Sequence, residues 1–85
     1  MTSDRIDADI LSRTKERGSS KTICPSEVAR GLAPDDWRSL MDRVRERART
    51  LALAGRIDIT QAGEAIDPSR EWSGPIRLRS KEGVD

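Results

Sequence analysis

Trp37, Leu40, Met41, Val44, Ala48 and Leu51 recur at the spacing of one helical face. That stripe constrains the fold more than any other feature of the chain. A helix with one apolar face is stable in water only when something covers that face. In 85 residues the cover must come from the few other apolar segments. The cover is also almost wholly aliphatic: Phe and Tyr are absent, and Trp37 and Trp72 are the only aromatics. Apolar residues make up 34% of the chain and charged residues 36%, so the expected core is lean, but its periodicity and the low net charge argue against disorder.

The punctuation around the stripe sets the neighbouring elements. Asp4–Arg17 is predicted as a first helix, with Asp4 as cap, Ile6, Ile10 and Leu11 inward, and Gly18 ending it. Ser19–Ile23 reads either as a linker or as a single rung of strand. Cys24-Pro25-Ser26-Glu27 then has the grammar of a helix start: Pro at the first position, Glu at the third, and Cys24 as the cap. Ala33-Pro34-Asp35-Asp36 repeats that grammar, so the long helix is predicted from Pro34 to about Ala54, stopped by Gly55. Trp37 is expected to be mostly buried. Leu53 lies off the stripe and is expected to be covered by the segment that follows.

Arg56–Thr60 and Ile76–Arg79 alternate apolar and polar residues, as half-buried strands do. Ala65–Asp67 is expected to pair only briefly, and Asp67–Gly74 to form a loop. The order of helix, short extended piece, helix, long helix, strand, loop, strand predicts a mainly α, α+β domain. It is a winged helix of three helices closed by a small antiparallel β-hairpin. Residues 1–85 are expected to form one domain, with 80–85 as a frayed tail.

Several segments together resemble a known family. They are Ile23-Cys24-Pro25-Ser26-Glu27-Val28-Ala29-Arg30, Trp37-Arg38-Ser39-Leu40-Met41, Gly55-Arg56-Ile57-Asp58-Ile59-Thr60-Gln61-Ala62-Gly63 and Gly74-Pro75-Ile76-Arg77-Leu78-Arg79. The combination, over most of the chain, resembles a family of short bacterial proteins classed as a domain of unknown function. The resemblance implies a winged-helix-like domain from a bacterium and carries no activity with it.

Composition removes several function classes. Histidine is absent and Cys24 is the only cysteine, so neither a Cys/His zinc site nor an internal disulfide is possible. No nucleophile–base pair, Gly-rich phosphate loop or metal-spaced carboxylate cluster is present, so the chain is expected not to be an enzyme and to need no cofactor. No apolar run is long enough for a membrane span and no signal-peptide pattern opens the chain, so a reduced cytoplasmic setting is expected.

What remains is charge. Between Trp37 and Arg56 six arginines face only Asp42 and Glu46, a local charge of +4. Arg38, Arg45 and Arg49 share one flank of the predicted helix, and Arg43 and Arg47 share the other. A winged helix commonly lays this helix in the major groove of double-stranded DNA, with arginines on bases or phosphates. The loop before the last strand adds Arg70 and Trp72, and that strand adds Arg77 and Arg79. The candidate nucleic-acid-binding residues are therefore Arg38, Arg45, Arg49, Arg70, Trp72, Arg77 and Arg79.

Opposing features keep a second reading open. Net charge is only +1, and Asp35 and Asp36 stand at the helix end that usually meets bases. Arginines flanking an apolar stripe also serve as a solvated, ion-paired face. The alternative is a protein-interaction or self-association module that binds no nucleic acid. Trp72 has a bland reading of its own, folded back on the body beside an arginine. Cys24, at the positive end of a helix dipole, is a candidate redox thiol, against the ordinary role of a small packing residue.

Overall fold

The structure, a computed structural model, describes residues 2–81. Helix α1 spans Ser3–Arg17, α2 spans Pro25–Leu32 and α3 spans Trp37–Leu53, followed by strands β1 (Ile57–Gln61), β2 (Glu64–Ala65) and β3 (Arg77–Ser80). The strands form one antiparallel sheet in the order β2-β1-β3. Ile23 forms a single bridge to Leu78, one rung on the free edge of β3. Three helices closed by this sheet make a winged-helix-like α+β arrangement. The sheet is larger than the expected hairpin because residues 64–65 pair back on β1.

The α1 cap is Thr2, whose side chain accepts the Arg5 amide, so the helix starts slightly earlier than Asp4. Cys24 is the α2 N-cap: its amide donates to the Glu27 carboxylate at 2.8 Å. The third helix departs from expectation. It begins at Trp37, three residues after Pro34, with Asp36 as its cap. Ala33–Asp36 is used to turn the chain between two helices, closed by the Asp36 amide on the Ala33 carbonyl at 3.1 Å. A proline fits the first position of a turn as well as that of a helix. The need to change direction decides between them here.

The three helices and strands β1 and β3 share one core: Ile6 and Ile10 from α1, Val28 and Ala29 from α2, Leu40, Val44, Ala48 and Leu51 from α3, with Ile23, Ile57, Ile59, Ile76 and Leu78. Full burial of one such aliphatic side chain contributes about 1.5–3 kcal/mol. Thr14, the polar member on α1, keeps its hydroxyl satisfied by donating to the Ile10 carbonyl at 2.9 Å.

The two remaining apolar expectations have different outcomes. Trp37 is mostly buried, packed against the edge of the core, with the Arg30 and Arg38 guanidiniums over its ring at 4.3 and 4.7 Å. It occupies the first position of α3, where no neighbouring turn covers its outer side. Leu53 is 58% exposed. It points away from the stripe, and the chain turns at Gly55 (φ 76°) toward the core side rather than across it. The tail expected to fray from residue 80 begins later: Ser80 is buried in β3 and Lys81 pairs with Asp58 at 3.3 Å. The rest of that expectation, 82–85, lies outside the described residues.

Candidate functional site

The arginines divide by the kind of group that holds them. Arg47 forks onto the Asp7 carboxylate at 2.8 and 2.7 Å, joining α3 to α1. Arg13 pairs with Asp9 at 2.6 Å, Arg17 with Glu27 at 2.9 Å and Arg79 with Asp58 at 3.0 Å. These four are charge-compensated. Arg45 donates to the Gly74 carbonyl at 3.1 Å, and Arg49 to the Arg70 carbonyl at 3.3 Å. Arg49 also lies over the Trp72 ring, 4.1 Å from its centroid, as Arg38 lies over Trp37. Carbonyls and π faces orient a guanidinium without neutralising it. Among the described residues, no ion pair within 4 Å joins Arg38, Arg45 or Arg49 to a carboxylate.

The geometry places these residues along one line. Arg38, Arg45 and Arg49 occupy one flank of α3, and the 66–76 loop runs against the far half of that flank. The loop has little structure of its own: Asp67 accepts the Ser69 amide and hydroxyl at 2.9 and 2.7 Å, which holds its carboxyl below the ordinary value, and the Arg70 amide reaches the Asp67 carbonyl at 3.2 Å. Its position depends on side chains from elsewhere. Gln61, at the end of β1, donates to the Ser73 and Pro75 carbonyls at 2.8 and 3.2 Å. Arg45, Arg49 and Gln61 together strap the loop down and hold Trp72 half-buried against the body.

Five of the seven candidates therefore share one seam: Arg38, Arg45, Arg49, Arg70 and Trp72. Arg70 is anchored by its carbonyl, its side chain 84% exposed and 3.8 Å from Asp67. Arg77 and Arg79 stand elsewhere. They alternate with Leu78 on β3 and so project from the sheet face opposite the core, level with Thr60 and Asp58. Arg77 donates to the Thr22 hydroxyl and carbonyl there. The convergence of helix and strand arginines on one surface does not occur.

The outward midline of α3 carries Ser39, Asp42, Glu46 and Leu53 between its two basic flanks. Gln61 was the residue that pattern reading missed. Its position at the end of an alternating strand, before a turn, carries no signal that its amide serves a loop twelve residues on.

Cys24 is half-buried, and its Sγ accepts the Ser26 hydroxyl at 3.1 Å. Its neighbour Glu27 is held below the ordinary carboxylate range, first by the Cys24 amide and then by Arg17, with Arg77 adding to the same effect against the opposing cost of burial. Among the described residues, no group of three or more metal-ligating side chains is found, and no helix is long and apolar enough to cross a membrane.

The chain belongs to the family described as protein of unknown function DUF3253, whose model matches residues 3–81. No curated protein matches the sequence.

Proposed function

We propose that this member of a family of unknown function is a nucleic-acid-binding module, not an enzyme, that grips the phosphate backbone along the α3 flank and the 66–76 loop. The observation that carries the reading is the state of Arg45 and Arg49. Both are fixed in place by neutral carbonyls, so both present a positive charge that no carboxylate compensates, on a prearranged surface. Ordering an arginine before binding lowers the entropic cost of each phosphate contact. Arg38 extends the same line, and Arg70 reaches out from the loop.

A second reading is favoured by the outward midline of α3. Asp42 and Glu46 repel phosphate, and Leu53 at 58% exposure offers an apolar contact, a combination suited to a protein partner or a second copy of the chain.

Fluorescence anisotropy with random nucleic acid across a salt series separates the two. Backbone binding makes log K fall with log salt by about 0.9 per duplex phosphate contact, with dissociation constants of roughly 10⁻⁴–10⁻⁶ M expected at physiological salt. Arg38→Ala should lower the slope by about 1, and Arg45→Ala with Arg49→Ala by about 2. Arg77→Ala, on the other sheet face, should leave it unchanged. No binding at high micromolar protein, or a slope indifferent to the α3 variants, would give the case to the protein-interaction reading.

A further inference from the structure

The loop that Arg45, Arg49 and Gln61 strap down carries one large aromatic, and its placement says more than backbone contact requires. Trp72 is half-buried: part of the ring packs on the core, the Arg49 guanidinium lies 4.1 Å from the ring centroid, and the remainder meets solvent. The loop carbonyls on both sides of it, from Arg70 and Ser73, are held by side chains of α3 and β1. The ring is therefore held still at one end of the line of uncompensated arginines. A fixed aromatic beside a cationic track is the combination that binds unpaired bases. The guanidiniums take phosphates and the ring takes a base, whatever its identity, because every base has a π face.

The other surfaces of α3 argue against a duplex. A major groove about 12 Å wide admits a whole helix between two phosphate walls. Entering it would carry Asp42 and Glu46 on the midline, and Asp35 and Asp36 at the helix start, into the most negative part of the ligand. A single strand need only follow one flank and passes the acids by.

Resting on the backbone-binding reading, we propose that the preferred ligand is single-stranded nucleic acid, with its phosphates on Arg38, Arg45 and Arg49 and one unpaired base stacked on Trp72 in the place that the Arg49 guanidinium holds in the free protein, that guanidinium moving from the ring to the adjoining phosphate.

The test compares a 12-nucleotide oligothymidylate with a random 12-base-pair duplex at low salt. It uses the full chain carrying Trp37→Phe, so that Trp72 is the only fluorophore. The single strand should bind more tightly by on the order of tenfold, and should quench Trp72 emission on binding. Trp72→Leu, which keeps an apolar side chain on the core, should remove that preference while leaving duplex affinity and salt slope as they were. If Trp72→Leu does not fold, the quench in the Trp37→Phe protein decides alone. Equal affinity for both ligands with unmoved Trp72 emission overturns the single-strand inference and leaves backbone binding standing. Binding of neither ligand overturns both.

Discussion

Ile23 and Leu78 exchange both of their backbone hydrogen bonds, at 2.8 Å each, across a long stretch of the chain. The rung ties the segment between the first two helices to the last strand, and both side chains are buried in the common core. Leu78→Ala should therefore cost about 3–4 kcal/mol, the range for a fully buried leucine whose site cannot collapse. Ile23→Val should cost only about 1 kcal/mol. Urea melts should show the midpoints moving in that order, with the slopes unchanged.

Trp37 predicts a smaller loss than its size suggests. Part of its surface stays in water, and the Arg30 and Arg38 guanidiniums over the ring contribute about 0.5–1 kcal/mol each. Trp37→Ala is expected to cost about 2–3 kcal/mol, below the usual range for a fully buried aromatic. A loss above that of Leu78→Ala would show that the ring is fully buried in solution.

Glu27 couples stability to acid. Its folded pKa lies below the unfolded value near 4.5, so its contribution is fully present above that value. It is lost as pH falls through the folded pKa, when the carboxyl gains a proton and its bonds to the Cys24 amide and Arg17 weaken. Glu27→Gln should lower the melting temperature at pH 7, and the gap between variant and wild type should narrow as pH falls through the folded pKa of Glu27. A gap that stays constant as the protein is taken to acid would mean that the side chain acts through packing.

The β1–β2 connection offers a gain. Ala62 and Gly63 both have positive φ, 51° and 84°, as a two-residue primed turn requires. Alanine is poorly suited to the left-handed region, and asparagine tolerates it better. Ala62→Asn should stabilise the domain by about 0.5 kcal/mol, whereas Gly63→Ala should destabilise it by about 1 kcal/mol. Thermal melts of the pair should move in opposite directions.

Cys24 as a cap and packing residue leads to a mild expectation. Its backbone does the capping work through Glu27, and a serine hydroxyl can replace the thiol as partner of Ser26. Cys24→Ser should stay within about 0.5 kcal/mol of wild type, since serine is the better cap.

Local chemistry made the three helices legible. Thr2 against Asp4 as the α1 cap is a small shift of boundary, and the Cys24-Pro25-Ser26-Glu27 start was readable because cap, proline and glutamate act within one turn. The same grammar misplaced the start of α3, since Pro34 serves a turn with equal ease and the choice belongs to the angle between two packed helices. The candidate site was legible only as a helix flank. Arg38, Arg45 and Arg49 share a face by period alone, but nothing local reveals that Arg47 will meet Asp7, or that Arg79 will meet Asp58.

By itself the sequence determined the element order, the aliphatic core and the spacing of arginines on α3, because each follows from periods of 3.6 and 2 and from residues acting within a turn of one another. Only the tertiary structure decided which arginines have their charge compensated by a carboxylate. Asp7 neutralises Arg47 and Asp58 neutralises Arg79, while Gly74 and Arg70 offer Arg45 and Arg49 nothing but carbonyls. Those partners lie tens of residues away, and a charge pair forms only where packing has already brought its two halves within a few ångströms.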